Sequence, residues 1–343
     1  MLQTNWLRVL PWRALGRGRR TSEQVGVYRT STALIAARVR LDGDAGCSVE
    51  KLEAVDLRGQ REQVAVAHLA ASGILSNAPV TLVLGPDQYN TFPLPAPSVP
   101  HGEMRDALRW KLRDVLPYAP EDAVIDFVRL AHAVDSNAAE SLLAVAAQRR
   151  SVAQSVAPLL AAGADVQAVD IAEMAQRNLL IRLPGGEGGR ALLGLDESSA
   201  LLTVVHQGAL CLARRIQIPR SQTIEEEDPE HVAARIATQV QRSLEVVERQ
   251  SGLAPVRTLW IGPHPYCALI ARCTAEQTGL ECLQLDLPQE LRFAAGVAEL
   301  PQEHAGSSPI AIGAALRTER AATKLRAVPQ SFSLAWLSRL KAA

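Results

Sequence analysis

The chain contains two similar segments in which a turn rich in hydroxyl side chains separates two short apolar runs. The first segment spans residues 25–36 and the second spans residues 193–204, about half a chain apart. This pattern predicts a strand, a tight turn and a second strand in each copy. Backbone N–H groups and hydroxyls of such a turn can bind phosphate oxygens. The repeat also predicts two similar lobes that lie side by side.

The other residues of the two turns help to distinguish a phosphate loop from a plain hairpin. A phosphate loop favours glycine, which lets the backbone approach the anion closely. A metal-dependent loop also needs a carboxylate for the hydrated cation. The first turn has neither, because Tyr28 and Arg29 occupy it, and the second has Asp196 and Glu197 with no glycine directly beside them. The residue chemistry favours a structural pair of hairpins over a working nucleotide site.

Composition and motifs narrow the class of protein. With 343 residues the chain can form two lobes with sizeable cores. Its formal net charge is zero, which gives no bulk field to attract nucleic acid or an anionic membrane. The five cysteines include no C-x-x-C pair, so the pattern favours a reducing cytoplasm over a disulfide framework or a zinc site. The sequence contains neither H-E-x-x-H nor G-x-S-x-G, and we expect no catalytic residues and no metal.

The leader, residues 1–22, combines tryptophan with arginine. Trp6 and Trp12 lie here among basic side chains, and no apolar run in the chain approaches the length of about 20 residues that a membrane helix needs. Basic charge beside tryptophan is typical of a segment that lies on a membrane surface, here through residues 1–20. A leader that becomes ordered only on contact with a partner would have the same composition. Both interpretations stay open.

A helix predicted over residues 103–116 carries a tryptophan on the face opposite its apolar stripe. Met104, Leu108, Leu112 and Val115 form its apolar stripe, and Trp110 lies on the opposite face among charged residues. A tryptophan in that position is a candidate contact for a partner protein. The alternative, which we favour from the sequence, is that a neighbouring segment covers it.

Breaks in the pattern divide the chain. The run Pro-Gly-Gly-Glu-Gly-Gly over residues 184–189 precedes a strand, so it is interpreted as a connector between lobes, not as a phosphate loop. The first lobe is then predicted at residues 23–187, with an inserted subdomain at about 80–147, the second lobe at 188–322 and a tail at 323–343. A long helix after Asp228-Pro229 and a βαβ unit over about 258–285 are predicted in the second lobe.

Several stretches resemble one family of proteins. Residues 104–111 (MRDALRWK) and 116–126 (LPYAPEDAVID) resemble a signature of the PilM pilus-assembly proteins, which the cytoplasmic portions of GspL-type secretion proteins share. Residues 170–180 (DIAEMAQRNLL) look most like the MshI branch, which serves mannose-sensitive-haemagglutinin pili, and residues 311–317 (AIGAALR) match the closing helix. The likeness runs in order over about residues 24–317.

The resemblance implies an actin-like (ribonuclease H-like) α/β fold of two lobes with a small inserted subdomain. It implies a cytoplasmic adaptor, peripheral at the inner membrane, that holds the N-terminal tail of a PilN-like membrane protein and links the membrane platform to an assembly ATPase. Arg109 and Trp110 lie within the signature and are the expected partner contacts. The alternative is an active actin-like ATPase of a pilus or of a type II secretion system.

The nucleotide-binding positions depart from the family pattern. Where nucleotide-binding PilM proteins carry Asp and Gly in the first turn, this chain has Tyr28 and Thr30; in the second turn it has Gly194 and Asp196. We therefore expect ATP and Mg²⁺ binding to be lost or feeble. If the alternative holds, the cofactor-binding residues are the surviving hydroxyls and the reduced adenosine turn Gly-Pro-His at 262–264: Ser31, Ser198, Ser199 and Gly262.

The leader also carries a motif of the partner. Residues 7–13 (LRVLPWR) resemble the tail that PilN-like proteins offer to PilM, an apolar stretch followed by proline, an aromatic residue and arginine. We hypothesise that the leader docks into its own or a neighbour's partner groove, with Pro11 favouring an extended peptide and Trp12 as the anchor.

Overall fold

The computed structural model describes residues 22–42, 46–132, 140–184, 188–196, 199–218 and 228–317, which make up most of both predicted lobes. The strands are β1 (Ser22–Arg29), β2 (Ala33–Leu41), β3 (Cys47–Asp56), β4 (Pro79–Val83), β5 (Tyr89–Pro95), β6 (Ala123–Arg129), β7 (Ser141–Gln148), β8 (Asp165–Asp170), β9 (Gly189–Leu195), β10 (Ser199–His206), β11 (Ala209–Gln217), β12 (Val256–Ile261), β13 (Glu281–Gln284) and β14 (Arg292–Phe293). The helices are α1 (Glu62–Ala71), α2 (Met104–Leu112), α3 (Arg149–Ala161), α4 (Ala172–Leu180), α5 (Pro229–Ser251), α6 (Cys267–Thr278), α7 (Leu287–Glu290), α8 (Gln302–Ala305) and α9 (Ser308–Ala315).

Two sheets repeat one topology. The first has the order β14-β3-β2-β1-β4-β8 and the second has the order β11-β10-β9-β12-β13. In each, an antiparallel hairpin (β1–β2 or β9–β10) is followed by a parallel strand beside its first member (β4 or β12). Residues 25–36 and 193–204 therefore occupy equivalent places in two lobes, and the predicted duplication is confirmed.

A separate inserted sheet, with the order β5-β7-β6, carries α2 on one face. The prediction began this insertion at about residue 80, whereas β4 pairs with β1 in the first sheet and the inserted sheet begins at Tyr89. Helix α2 buries Met104, Leu108 and Leu112 against the inserted sheet. The prediction that Val115 extends this stripe is wrong, because α2 ends at Leu112 and Val115 is 59% exposed.

Two short helices are exchanged between the lobes. Helix α4 follows β8 of the first sheet but packs on β9, β10 and β11 of the second, while α9, which follows the second lobe, packs on β1, β2 and β4. The two helices also contact each other, and every residue of both is buried. Close approach depends on glycine: a Cβ at Gly26 would overlap the carbonyl of Ala311, and one at Gly313 would overlap that of Ala175.

Helix α5 follows the predicted signals at both ends. The Asp228 carboxylate accepts a hydrogen bond from the Glu230 N–H (3.1 Å), Pro229 holds the first helical position, and Gly252 ends the helix with φ of 63°. The predicted apolar stripe packs on the second sheet and comprises Val232, Ile236, Val240, Leu244 and Val247. Among the described residues, no helix combines the length and the apolar character needed to cross a bilayer.

Candidate functional site

The first turn is closed by its own side chain. The Thr30 hydroxyl accepts hydrogen bonds from the N–H groups of Thr32 (3.2 Å) and Ala33 (2.8 Å), and Thr30 is only 6% exposed. These N–H groups are the donors that a phosphate loop would present to an anion. Ser31, a predicted cofactor residue, lies exposed at the tip of the turn. The turn is therefore satisfied as a hairpin connection.

Helix α4 packs against the second hairpin through Gln176. The Asp196 N–H donates to the Ser199 carbonyl (2.9 Å), and Ser199 is buried. A Cβ at Gly194 would overlap the Gln176 side-chain amide, whose oxygen accepts a hydrogen bond from the Thr203 hydroxyl (2.8 Å). Glycine at 194 thus makes room for Gln176, not for a ligand. Of the predicted hydroxyls, Ser198 lies outside the described residues.

Among the described residues, a small cavity lies between the two hairpins. A cavity of about 20 Å³ is bounded by side chains from both lobes, among them Tyr28, Gln176, Ser199 and Arg215. Ligand pockets for small molecules occupy about 300–1,000 Å³, whereas one water needs only about 10–15 Å³. The space therefore suits a water molecule and is far too small for a triphosphate.

A buried polar network joins the inserted sheet to both lobes beside this cavity. The Tyr89 hydroxyl donates to Glu173 Oε2 (2.6 Å), and an Arg215 Nη atom contacts the Tyr89 hydroxyl oxygen (3.0 Å) and Glu173 Oε1 (3.3 Å). Burial, reinforced by the Glu173 carboxylate, raises the pKa of Tyr89 well above its ordinary value, so the phenol keeps its proton and remains a donor. Burial and the Asp196 carboxylate likewise raise the pKa of Tyr28, which is 2% exposed.

A larger cavity lies beside the reduced adenosine turn. It has a volume of about 410 Å³ and is lined by the Gly262–His264 turn together with apolar side chains from both lobes, such as Leu52 and Phe293. The Gly262 N–H donates to the Leu193 carbonyl (2.8 Å), which fixes the turn against β9. Gly306 lies where a Cβ would be 2.6 Å from the Leu195 carbonyl oxygen and 3.1 Å from that of Pro263, close to the second turn.

The predicted cofactor residues that the structure describes do not line one common cavity. Ser31 lies at an exposed tip, Ser199 borders the small cavity and Gly262 borders the large one. The sequence did not identify Gln176 and Arg215 as residues that line the small cavity between the hairpins. The available signal was the polar run over residues 176–178 in a helix flanked by apolar residues. Within the described ranges, no group of His, Cys, Asp and Glu side chains could hold a metal ion.

The expected partner contacts on α2 face outward. Trp110 is 67% exposed, and the Arg113 guanidinium lies 4.9 Å from its ring centroid. Arg109, one residue earlier, donates to Asp106 Oδ1 (2.5 Å). Among the described residues no neighbouring segment covers Trp110, contrary to the interpretation favoured from the sequence. Pro11 and Trp12 of the leader lie outside the described residues.

Comparison with known proteins adds structural relatives only. No protein-family model and no curated protein sequence matches the chain. The structure of a PilM-PilN type IV pilus biogenesis complex aligns with a TM-score of 0.60 and 18% identity, over 87% of this chain and 98% of the other. The cytoplasmic domain of EpsL, an inner-membrane component of the type II secretion system of Vibrio cholerae, aligns over 88% and 98% of the two chains, with 16% identity and a TM-score of 0.47. A Bacteroides thetaiotaomicron protein with an actin-like ATPase fold and unknown function gives 7% identity, 79% and 93% coverage, and a TM-score of 0.47.

The likeness to the PilM-PilN structure concerns the fold. It covers 87% of this chain, and it agrees with the repeated strand order of the two main sheets. The chain thus has the predicted actin-like α/β fold.

Proposed function

We propose that this protein is an adaptor of type IV pilus biogenesis, of the MSHA type, that docks the N-terminal tail of a PilN-like membrane protein and does not turn over ATP. The observation that carries this proposal is the small size, about 20 Å³, of the cavity between the two hairpins, which Tyr28, Gln176 and Arg215 help to line. An actin-like ATPase needs that space for phosphates and their cation. A protein of this fold that lacks the phosphate space can still bind protein partners through its outer surfaces.

The proposed partner and position of the adaptor are based on the aligned PilM-PilN structure. The aligned structure is that of a PilM-PilN complex in type IV pilus biogenesis, and 98% of that chain is covered. We infer that the present chain binds an equivalent membrane protein at the cytoplasmic face of the inner membrane. There it would link the membrane platform to the assembly ATPase.

The surface around Trp110 is the proposed tail contact. An exposed tryptophan stacked by Arg113 offers a rigid aromatic face beside a guanidinium. A tail in which an apolar stretch precedes proline and an aromatic residue would dock as an extended peptide, because proline lowers the entropy lost on binding. Tryptophan and arginine are the residue types that most often dominate such contacts.

A binding titration tests the tail contact. A labelled peptide with the sequence of the PilN tail is titrated against the full chain by fluorescence anisotropy. Trp110→Ala should weaken binding by about 30-fold and Arg109→Ala by about 5-fold, in line with aromatic anchors and half-exposed charges. Val64→Ala is the matched control, because Val64 is 55% exposed on α1, and it should change nothing. Equal affinity for all four proteins would reject this surface.

The leader is tested in the same assay. If residues 7–13 occupy the partner groove, Pro11→Ala and Trp12→Ala in the full chain should increase the affinity for the tail peptide by removing a competitor. An unchanged affinity would reject self-docking of the leader and leave the tail contact standing. Flotation of the same variants with anionic vesicles measures membrane-surface binding by residues 1–20.

The second candidate is an ATP-binding protein with an active or residual site. The observation in its favour is the cavity of about 410 Å³ beside Gly262, which is within the range of ligand pockets. A nucleoside would find room there, although its phosphates would have to lie elsewhere than between the two turns.

A further inference from the structure

Among the described residues, no strand pairs with the outer edge of the second sheet. Strand β11 is the last strand of that sheet and pairs only with β10. Near its start the Ala131 N–H donates to the Leu210 carbonyl (2.8 Å), which covers the first part of the edge. Within the ranges that the structure describes, the main chain of residues 212–217 has no partner outside the sheet. Such an edge can accept a further strand.

A basic groove lies along this edge. It has a volume of about 510 Å³ and runs between β11 and α5. Arg214 and Arg215 contribute from the strand, while Arg235 and Arg242 contribute from one face of the helix at a spacing of seven residues. No carboxylate lines the groove among the described residues. This is a concentrated positive charge on a chain whose formal net charge is zero.

Part of this charge is not neutralised within the described chain. The Arg214 guanidinium donates to the Ser243 hydroxyl (3.2 Å) and to the Gln239 side-chain oxygen (3.3 Å), which are both neutral. Arg242 is exposed and forms no ion pair with the residues described. Arg215 differs, because it already pairs with Glu173. Arg214 is thus positioned by neutral partners, and we expect Arg214 and Arg242 to be the arginines that bind an anion in this groove.

The groove also has an apolar floor. Ile216 and Ile218 from the chain after Arg214 and Ile236 from α5 lie between the basic side chains, and all are buried. Side chains of an extended peptide alternate in direction at about 3.3 Å per residue. A strand added to the edge could therefore direct every second side chain toward Arg214 and Arg242.

We propose that the 212–217 edge takes an extended acidic segment of a partner protein as an added strand, with its carboxylates on Arg214 and Arg242. Main-chain hydrogen bonds would give affinity and the arginines would select acidic sequences. Nucleic acid is the less favoured anion, because none of the described residues that line the groove is an aromatic on which bases could stack. The site lies on the second lobe and does not depend on the tail contact at Trp110.

The test uses the full chain and a defined probe. The probe is a labelled peptide of about eight residues in which Val and Glu alternate, a length typical of one strand. Its binding is followed by anisotropy at about 50 mM and about 200 mM salt, and we expect weaker binding at the higher salt. Arg214→Gln with Arg242→Gln should weaken binding at least tenfold. The matched control, Arg150→Gln with Arg257→Gln, removes two exposed arginines elsewhere and should leave binding unchanged.

Three further measurements decide the mode of binding. N-methylation of alternate peptide residues should abolish binding in one of the two registers, because only one peptide edge faces β11; equal binding of both methylated peptides would overturn strand addition. Binding of an oligothymidylate as tightly as the peptide would overturn the choice of an acidic protein segment. Peptide binding seen only after Glu225, Glu226 and Glu227 are changed to Gln would also overturn the proposal, since the groove would then serve the acidic run of this same chain.

Discussion

The two sides of the region between the lobes differ in the space that they leave. Between the hairpins the cavity measures about 20 Å³, whereas beside the Gly262 turn the cavity measures about 410 Å³, and polar and apolar side chains line both. Helix α9 begins between them, with Ser307 bordering the small cavity and Ser308 the large one. Side chains thus leave little room on one side of α9 and more on the other, while α4 and α9 join the two lobes through their contacts with each other and with both sheets.

The largest expected effect comes from the contact between α4 and α9. Gly313→Ala would place a Cβ against the Ala175 carbonyl, which is main chain of a fully buried helix and cannot move aside. We expect the free energy of unfolding in urea to fall by about 3 kcal/mol or more, at the upper end of the cost of overpacking a core. Gly102→Ala is the control, because its added Cβ meets nothing within 4 Å. Equal stability of the two variants would mean that the lobes are not held together by this contact.

The polar network beside the small cavity should give the next largest effect. Glu173→Gln leaves the Arg215 guanidinium without its carboxylate, and the Glu173 side chain is only 3% exposed while that of Arg215 is 21% exposed. Removing one member of a largely buried pair should lower the free energy of unfolding by about 2–3 kcal/mol. The exposed pair of Glu230 with Arg272 provides the control, and Glu230→Gln should leave the urea midpoint unchanged. A midpoint shift of the same size for both would argue against a structural role for the network.

Alkaline pH should lower the free energy of unfolding through the two buried tyrosines near the small cavity. Burial raises the pKa of Tyr28 and Tyr89 in the folded protein above the value of about 10 that they have when unfolded. Above about pH 10 the unfolded chain therefore holds fewer protons than the folded one, so stability is complete below that pH and falls as pH rises, by up to about 1.4 kcal/mol per pH unit for each tyrosine. Tyr28→Phe should remove about half of this fall in urea titrations between pH 9 and pH 11. An identical fall in both proteins would contradict the assignment.

The smallest effect concerns the first turn. Thr30→Ala removes the hydroxyl that binds the N–H groups of Thr32 and Ala33, and Ala33 is buried. We expect a loss of about 1 kcal/mol in the free energy of unfolding, as for the loss of a helix-capping hydroxyl. Ser31→Ala at the exposed tip should be neutral. A neutral Thr30→Ala would show that the turn does not depend on its own side chain.

Much of the fold could be predicted from local patterns. The two hairpins alternate apolar and polar runs in a way that only strands explain, and α5 carries an N-terminal Asp-Pro and a C-terminal Gly. The exchange of helices could not be predicted in this way. Glu173, Gln176 and Arg177 give α4 a polar face that a helical period assigns to solvent, yet the second lobe covers it. Trp110 was misjudged for the opposite reason, because burial was inferred from residue type alone.

Binding of ATP to the full chain tests the central claim most directly. The thermal unfolding midpoint is measured with and without about 1 mM Mg-ATP, and isothermal titration calorimetry is run on the same samples. With the phosphate side filled by Tyr28, Gln176 and Arg215, we predict no midpoint shift and no heat beyond dilution. Saturation at a hundred times the dissociation constant would add about 2.7 kcal/mol of stability, or roughly 4 °C for a chain of this size. A shift of that size that also requires Mg²⁺ would contradict the proposal.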